Sequence, residues 1–120
     1  MRLTNVTKAN AEIAANVKFA STFFAKAFGL MGRSPLPRGE ALFFKGSRSM
    51  PCNSIQTTFM RFPLDVVFLD SEMKVKSILR DVKPWRFTWP VHGAITAIEM
   101  TAGSLNGKTL EIGDQLHVGD

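Results

Sequence analysis

Cys52, Asp65 and the run Trp85-Arg86-Phe87-Thr88-Trp89 hold the side chains in this 120-residue chain whose types suit chemistry. A nucleophilic cysteine needs a depressed thiol pKa and a base within hydrogen-bond reach. Gln56, read as sharing a strand face with Cys52, stands four residues on, roughly 13 Å at about 3.3 Å per strand residue. The histidines are His92 and His117, so a Cys52–His92 dyad would have to be assembled by the fold. These residue types favour a buried thiol over a nucleophile. Asp65 opens an apolar run on the side of Val67 and Leu69, where an unpartnered carboxylate is costly. Acceptance of backbone N–H groups, or pairing with Arg61 or Arg33, is the favoured role. General acid–base work would call for a second titrating group close by, and the sequence names none.

Trp85, Arg86 and Trp89 combine two indole faces with a guanidinium between Pro84 and Pro90. That set stacks on bases or sugar rings or holds a peptide, and His92 beside Gly93 is placed to join it. The plainer expectation is that both indoles are spent closing one end of the fold, and it is the one favoured here. A single cysteine excludes an internal disulfide, and the chain has no paired Cys/His spacing for zinc. No metal and no cofactor are therefore expected. Tyrosine chemistry is excluded by the absence of tyrosine.

The elements that must position these groups read mainly as strands. From Cys52 to Met60 the residues alternate, with Cys52, Ser54, Gln56 and Thr58 on one side and Asn53, Ile55, Thr57 and Phe59 on the other. Leu64 to Asp70 is rich in β-branched and aromatic residues and ends in the turn-forming Asp70-Ser-Glu-Met. Lys74 to Arg80 returns as the second strand of a hairpin. Ala41 to Phe44 suits a buried strand, and Arg2–Val6, Ala94–Met100 and Leu116–Val118 read as three more. Lys8 to Lys18 is mixed and yields no assignment. Pro84 to Pro90 is an extended loop or edge segment. One short helix is expected over Thr22–Phe28, capped by Ser21 and closed by Gly29, with Phe24, Phe28 and Met31 on its core side.

Length bounds the chain to one domain spanning residues 1–120. Net charge is +5, carried by the first half: residues 1–60 hold eight basic and two acidic side chains, residues 61–120 seven and eight. Evenly spread cations of this kind are more often solvated surface than a nucleic-acid stripe. No apolar stretch serves as a signal or membrane span, so a cytoplasmic setting is expected.

An ordered set of motifs adds to this reading. Gly29-Leu-Met-Gly-Arg33, Ala41-Leu-Phe-Phe44, Met60-Arg-Phe-Pro-Leu-Asp-Val-Val-Phe-Leu-Asp70, Lys83-Pro-Trp85, Ala94…Ile98-Glu99…Gly103 and Gly113-Asp114 follow one another along residues 2–118. In this the chain resembles the bacterial and archaeal family called domain of unknown function 192. The resemblance implies a compact β sandwich or barrel-like fold with one short helix, and no established activity. Family members often carry charged residues where this chain has Phe23 and Phe24. A subset has Cys-Asn followed by histidine on the polar strand; Cys52 and Asn53 match it, but Gln56 stands in the histidine's place.

The expectation is thus a mostly β domain that binds a small molecule or a protein without catalysis. Its ligand-binding residues would be Cys52, Asn53, Gln56, Thr58, Arg61, Asp65, Trp85, Arg86 and Trp89. The alternatives are a small hydrolase using Asp65 or Cys52, and nucleic-acid binding through the basic first half.

Overall fold

Leu64-Asp-Val-Val-Phe-Leu69 shows no alternation of polarity apart from Asp65, because water reaches neither side of it: all six residues are buried. A computed structural model describing residues 1–20, 36–58 and 60–120 shows what covers the two faces. The strands are β1 (Arg2–Asn5), β2 (Ala11–Ala14), β3 (Asn16–Ala20), β4 (Glu40–Lys45), β5 (Leu64–Leu69), β6 (Val75–Val82), β7 (Thr96–Thr101) and β8 (Leu116–Gly119). Five of them form a sheet in the order β3-β4-β7-β5-β6, and three form a second in the order β2-β1-β8. The β3–β4 pair is parallel and every other pair antiparallel.

Period-two geometry sorts the side chains of the larger sheet onto its two faces. Ala41, Phe43, Val67, Leu69, Ile98 and Met100 meet Leu3, Ile13 and Leu116 of the smaller sheet in one apolar cluster. Leu42, Phe44, Leu64, Val66, Phe68 and Ala97 form a second cluster with Cys52, Ile55, Met60, Phe62 and Ala94. The larger sheet is therefore sandwiched between a small sheet on one side and extended chain on the other. The described residues form a mostly β, sandwich-like fold without a closed barrel, in agreement with the expected class.

The β5–β6 hairpin forms as expected, and its turn chemistry is visible: Asp70 Oδ1 accepts the N–H groups of Glu72 at 2.8 Å and Lys74 at 3.0 Å. β6 spends an extra residue opposite Asp65, pairing Leu64 with Val82 but Val66 with Leu79. Asp81, at this bulge, adopts φ +56°.

One strand assignment is corrected, and one stretch left unassigned acquires strands. Residues 52–58 and 60 lie in none of these strands; they bond to the proline-bounded loop, with an isolated bridge between Gln56 and Phe87. The mixed stretch Lys8–Lys18 supplies a 3-10 turn at Val6–Lys8, then β2 and β3. Thr22–Phe28, expected as a helix, lies outside the described residues. No helix among the described residues is long and apolar enough to cross a membrane.

Candidate recognition loop

Pro84 and Pro90 keep the chain between them out of a central strand, since neither can donate to a ladder. Residues 52–57 run antiparallel beside that loop and hold it. Thr57 is fully buried and works as the fastening point. Its N–H donates to the Arg86 carbonyl at 2.7 Å, and its hydroxyl donates to the Lys83 carbonyl at 2.7 Å while accepting the Arg86 N–H at 2.8 Å. The Thr57 carbonyl accepts the N–H groups of Trp85 and Met60, both at 3.0 Å. Further along, the Ile55 carbonyl accepts the Thr88 N–H at 2.9 Å, and the Thr88 hydroxyl accepts the Ile55 N–H at 3.0 Å. The Asn53 carbonyl takes the Val91 N–H at 2.9 Å, and the Ile95 carbonyl takes the Cys52 N–H at 2.9 Å. A buried polar group without such partners would cost about 1–3 kcal/mol, so this ladder fixes the loop.

With Thr88 turned toward the ladder, residues 85, 87 and 89 point away from it. Trp85 is 59% exposed, Phe87 72% and Trp89 81%. The Phe87 and Trp89 rings meet edge to face with centroids 6.1 Å apart. The expectation that the indoles close an end of the fold is therefore overturned: extended backbone between two prolines aims them outward. Burying such a ring is worth about 1.5–3 kcal/mol, most of which is forgone at Phe87 and Trp89 and part of it at Trp85. Trp85 also takes φ +62°, a conformation that side chains other than glycine's seldom adopt and one that clusters at functional sites.

The residues expected to form one surface separate into three groups. Gln56, Trp85, Arg86 and Trp89 belong to the loop and its bridge, Arg61 is exposed, and Thr58 is half-buried. Asn53 lies in an adjoining open depression of about 320 Å³, shared with Arg48, Pro51, Ser71, Gly93, Ala94 and Ile95; neither Asp65 nor Trp85 contributes to it. Cys52 and Asp65 are internal. Cys52 is 1% exposed within the second apolar cluster and in no disulfide, which corrects its assignment to the polar face, while His92 is exposed. The Asp65 carboxylate accepts three backbone N–H groups: Asp81 at 3.0 Å, Gly103 at 3.1 Å and Leu105 at 3.1 Å. It thereby fastens the β6 bulge and the turn after β7, with both oxygens engaged.

Two further arrangements were not read from the sequence. Buried Asn5 donates its amide to the Thr109 carbonyl at 2.9 Å and to Asp114 Oδ2 at 2.8 Å, and Asp114 also accepts the Glu111 N–H at 2.8 Å. The Asn5 bond, the Glu111 N–H and the nearby Lys8 ammonium hold the Asp114 carboxyl below its ordinary range against the opposing effect of burial. Gly46 passes so close to Ile95, Cys52 and Met50 that a Cβ there would fall 2.0 Å from the Ile95 carbonyl oxygen. No group of three or more His, Cys, Asp or Glu suited to a metal occurs among the described residues.

Comparison with known proteins bears on the fold and on descent. The family model DUF192, described as Uncharacterized ACR, matches residues 4–118. A UPF0127 protein of Pyrococcus furiosus is 36% identical over 114 residues, covering 95% of each chain. A second, from Thermococcus sibiricus, is 38% identical over 100 residues, 83% of this chain and 64% of the relative. A crystal structure of a protein of unknown function from Novosphingobium aromaticivorans superposes with a TM-score of 0.80 at 21% identity, over 98% of this chain and 84% of that one.

Proposed function

The chain belongs to the DUF192 family, and we propose that it is a non-catalytic binding domain whose recognition surface is the loop Lys83–Val91. The observation that carries this reading is the outward projection of Trp85, Phe87 and Trp89 from a backbone fastened by Thr57 and Thr88. Exposed aromatic residues held rigid lose little conformational entropy on binding, which is why such residues anchor interfaces. Arg86 adds a cation at the centre of the loop, and Gln56 an amide beside it. The hydrolase alternative is disfavoured by the same geometry: Cys52 is enclosed by apolar side chains, and Asp65 has its oxygens filled by N–H donors. We assign the domain to the cytoplasm as part of this reading.

Both tryptophans of the chain lie in this loop, so intrinsic fluorescence reports on it alone. The test is titration with a panel of probes: anionic vesicles, oligothymidylate, an acidic peptide and a neutral oligosaccharide. At least one saturable change in emission is expected, abolished in the Phe87→Ser/Trp89→Ser variant. A panel without any response, or a response that this variant retains, overturns the reading.

A further inference from the structure

We propose that the partner of this loop is an anionic phospholipid surface, into whose headgroup region Trp85, Phe87 and Trp89 insert. The inference rests on the loop's being the recognition surface and names what it recognises.

Basic side chains outnumber acidic ones on the segments that build and hold the loop. From Ala41 to Leu64 and from Val82 to Ile98 there is no Asp or Glu, while these two stretches carry Lys45, Arg48, Arg61, Lys83 and Arg86. They are the stretches that the ladder of Thr57, Ile55 and Asn53 ties together. Lys83 is neutralised by Asp81 at 2.6 Å. Arg48, Arg61 and Arg86 are exposed and make no ion pair among the described residues. Exposed cations on the segments that build and hold the loop are drawn to an anionic bilayer surface.

Lipid is favoured over a nucleic-acid strand by the backbone and by the rings. Insertion into the boundary of a bilayer penalises every unpaired peptide donor. Here the N–H groups of Trp85, Arg86, Thr88 and Val91 are already bonded within the protein and Pro84 and Pro90 have none, so that of these loop residues the N–H groups of Phe87 and Trp89 alone are left to the water of the headgroup region. Base stacking wants open parallel ring faces, whereas Phe87 and Trp89 pack edge to face with an interplanar angle of 64°. Indole and phenyl groups flanked by arginine are the side chains that settle at the membrane–water interface.

The experiment is co-sedimentation of the full chain with vesicles of equal parts phosphatidylglycerol and phosphatidylcholine, with tryptophan emission read in parallel. Binding with a blue shift is expected, weakening steeply as salt rises. Phe87→Ser/Trp89→Ser should weaken it at least tenfold, and Arg61→Glu/Arg86→Glu to a similar degree. All four positions bear exposed or unenclosed side chains, and an unchanged thermal midpoint would show each variant folded. Equal binding to pure phosphatidylcholine, or binding that survives either double variant, overturns the proposal. Saturable binding to oligothymidylate without binding to vesicles overturns it too, yet leaves the recognition loop standing; loss of every response in the panel removes both.

Discussion

Thr57 and Arg86 grip one another twice: the Thr57 N–H donates to the Arg86 carbonyl at 2.7 Å, and the Arg86 N–H donates to the Thr57 hydroxyl at 2.8 Å. Side chain and main chain of one buried residue thus close a ring around the backbone that carries the aromatic loop. Replacing Thr57 with valine keeps the shape and deletes the hydroxyl, leaving the Arg86 N–H and the Lys83 carbonyl without their partner. A loss of about 1–3 kcal/mol is expected, with faster hydrogen exchange at the Arg86 amide than at amides of the central sheet. Uniform acceleration across the molecule would show instead that Thr57 supports the whole fold and not the loop.

Asp65 should behave as a structural acceptor. Asp65→Asn presents an amide where at least one of three N–H donors pointed, and each lost charge-assisted bond is worth about 1.5–3 kcal/mol. Chemical denaturation should show destabilisation of about 3 kcal/mol, with the exchange protection of Gly103 and Leu105 lost first. Unaltered stability would contradict that role.

Much of the β framework was legible in the sequence because apolar β-branched and aromatic residues concentrate in the buried strands. Leu64–Leu69 and its return strand declare themselves through β-branched and aromatic residues closed by an aspartate turn. The loop was harder. Tryptophan is usually spent on burial, and only the alternation of Thr88 inward with Phe87 and Trp89 outward, fixed by partners some thirty residues away, reverses that. Phe87 consequently escaped notice as a site residue. Thr57 looked like any strand threonine, since its acceptors at 83 and 86 are joined to it by tertiary structure alone.

Gly46 illustrates the same limit, being demanded by backbone that arrives from residues 50–52 and 95. Gly46→Ala should lower the thermal midpoint by several degrees, as a loss of about 1–3 kcal/mol from overpacking does in a domain of this size. The exchange protection of the Cys52 amide should fall with it. A neutral substitution would mean that residues 46 and 95 are farther apart.

Asp114 gives the fold an acid-sensitive fastening. Its carboxyl is held below the ordinary value of 3.8 by the Asn5 bond and its other partners, so the folded form binds this proton less readily than the unfolded chain does. The corresponding stability is complete above the unfolded pKa and is lost as pH falls through the lower folded pKa. Asp114→Asn should flatten the stability–pH profile between about pH 4 and the acid limit. An unchanged acid slope would move the acid sensitivity elsewhere. Asn5→Ala should destabilise at neutral pH by about 1–3 kcal/mol through the same contact.

Acrylamide quenching of the native protein's tryptophan emission reaches the central claim without any ligand. Indoles displayed as Trp85 and Trp89 are should emit at the long-wavelength end and be quenched nearly as efficiently as free tryptophan in solution. A blue-shifted emission that acrylamide barely touches would place both rings inside the protein and contradict the recognition loop.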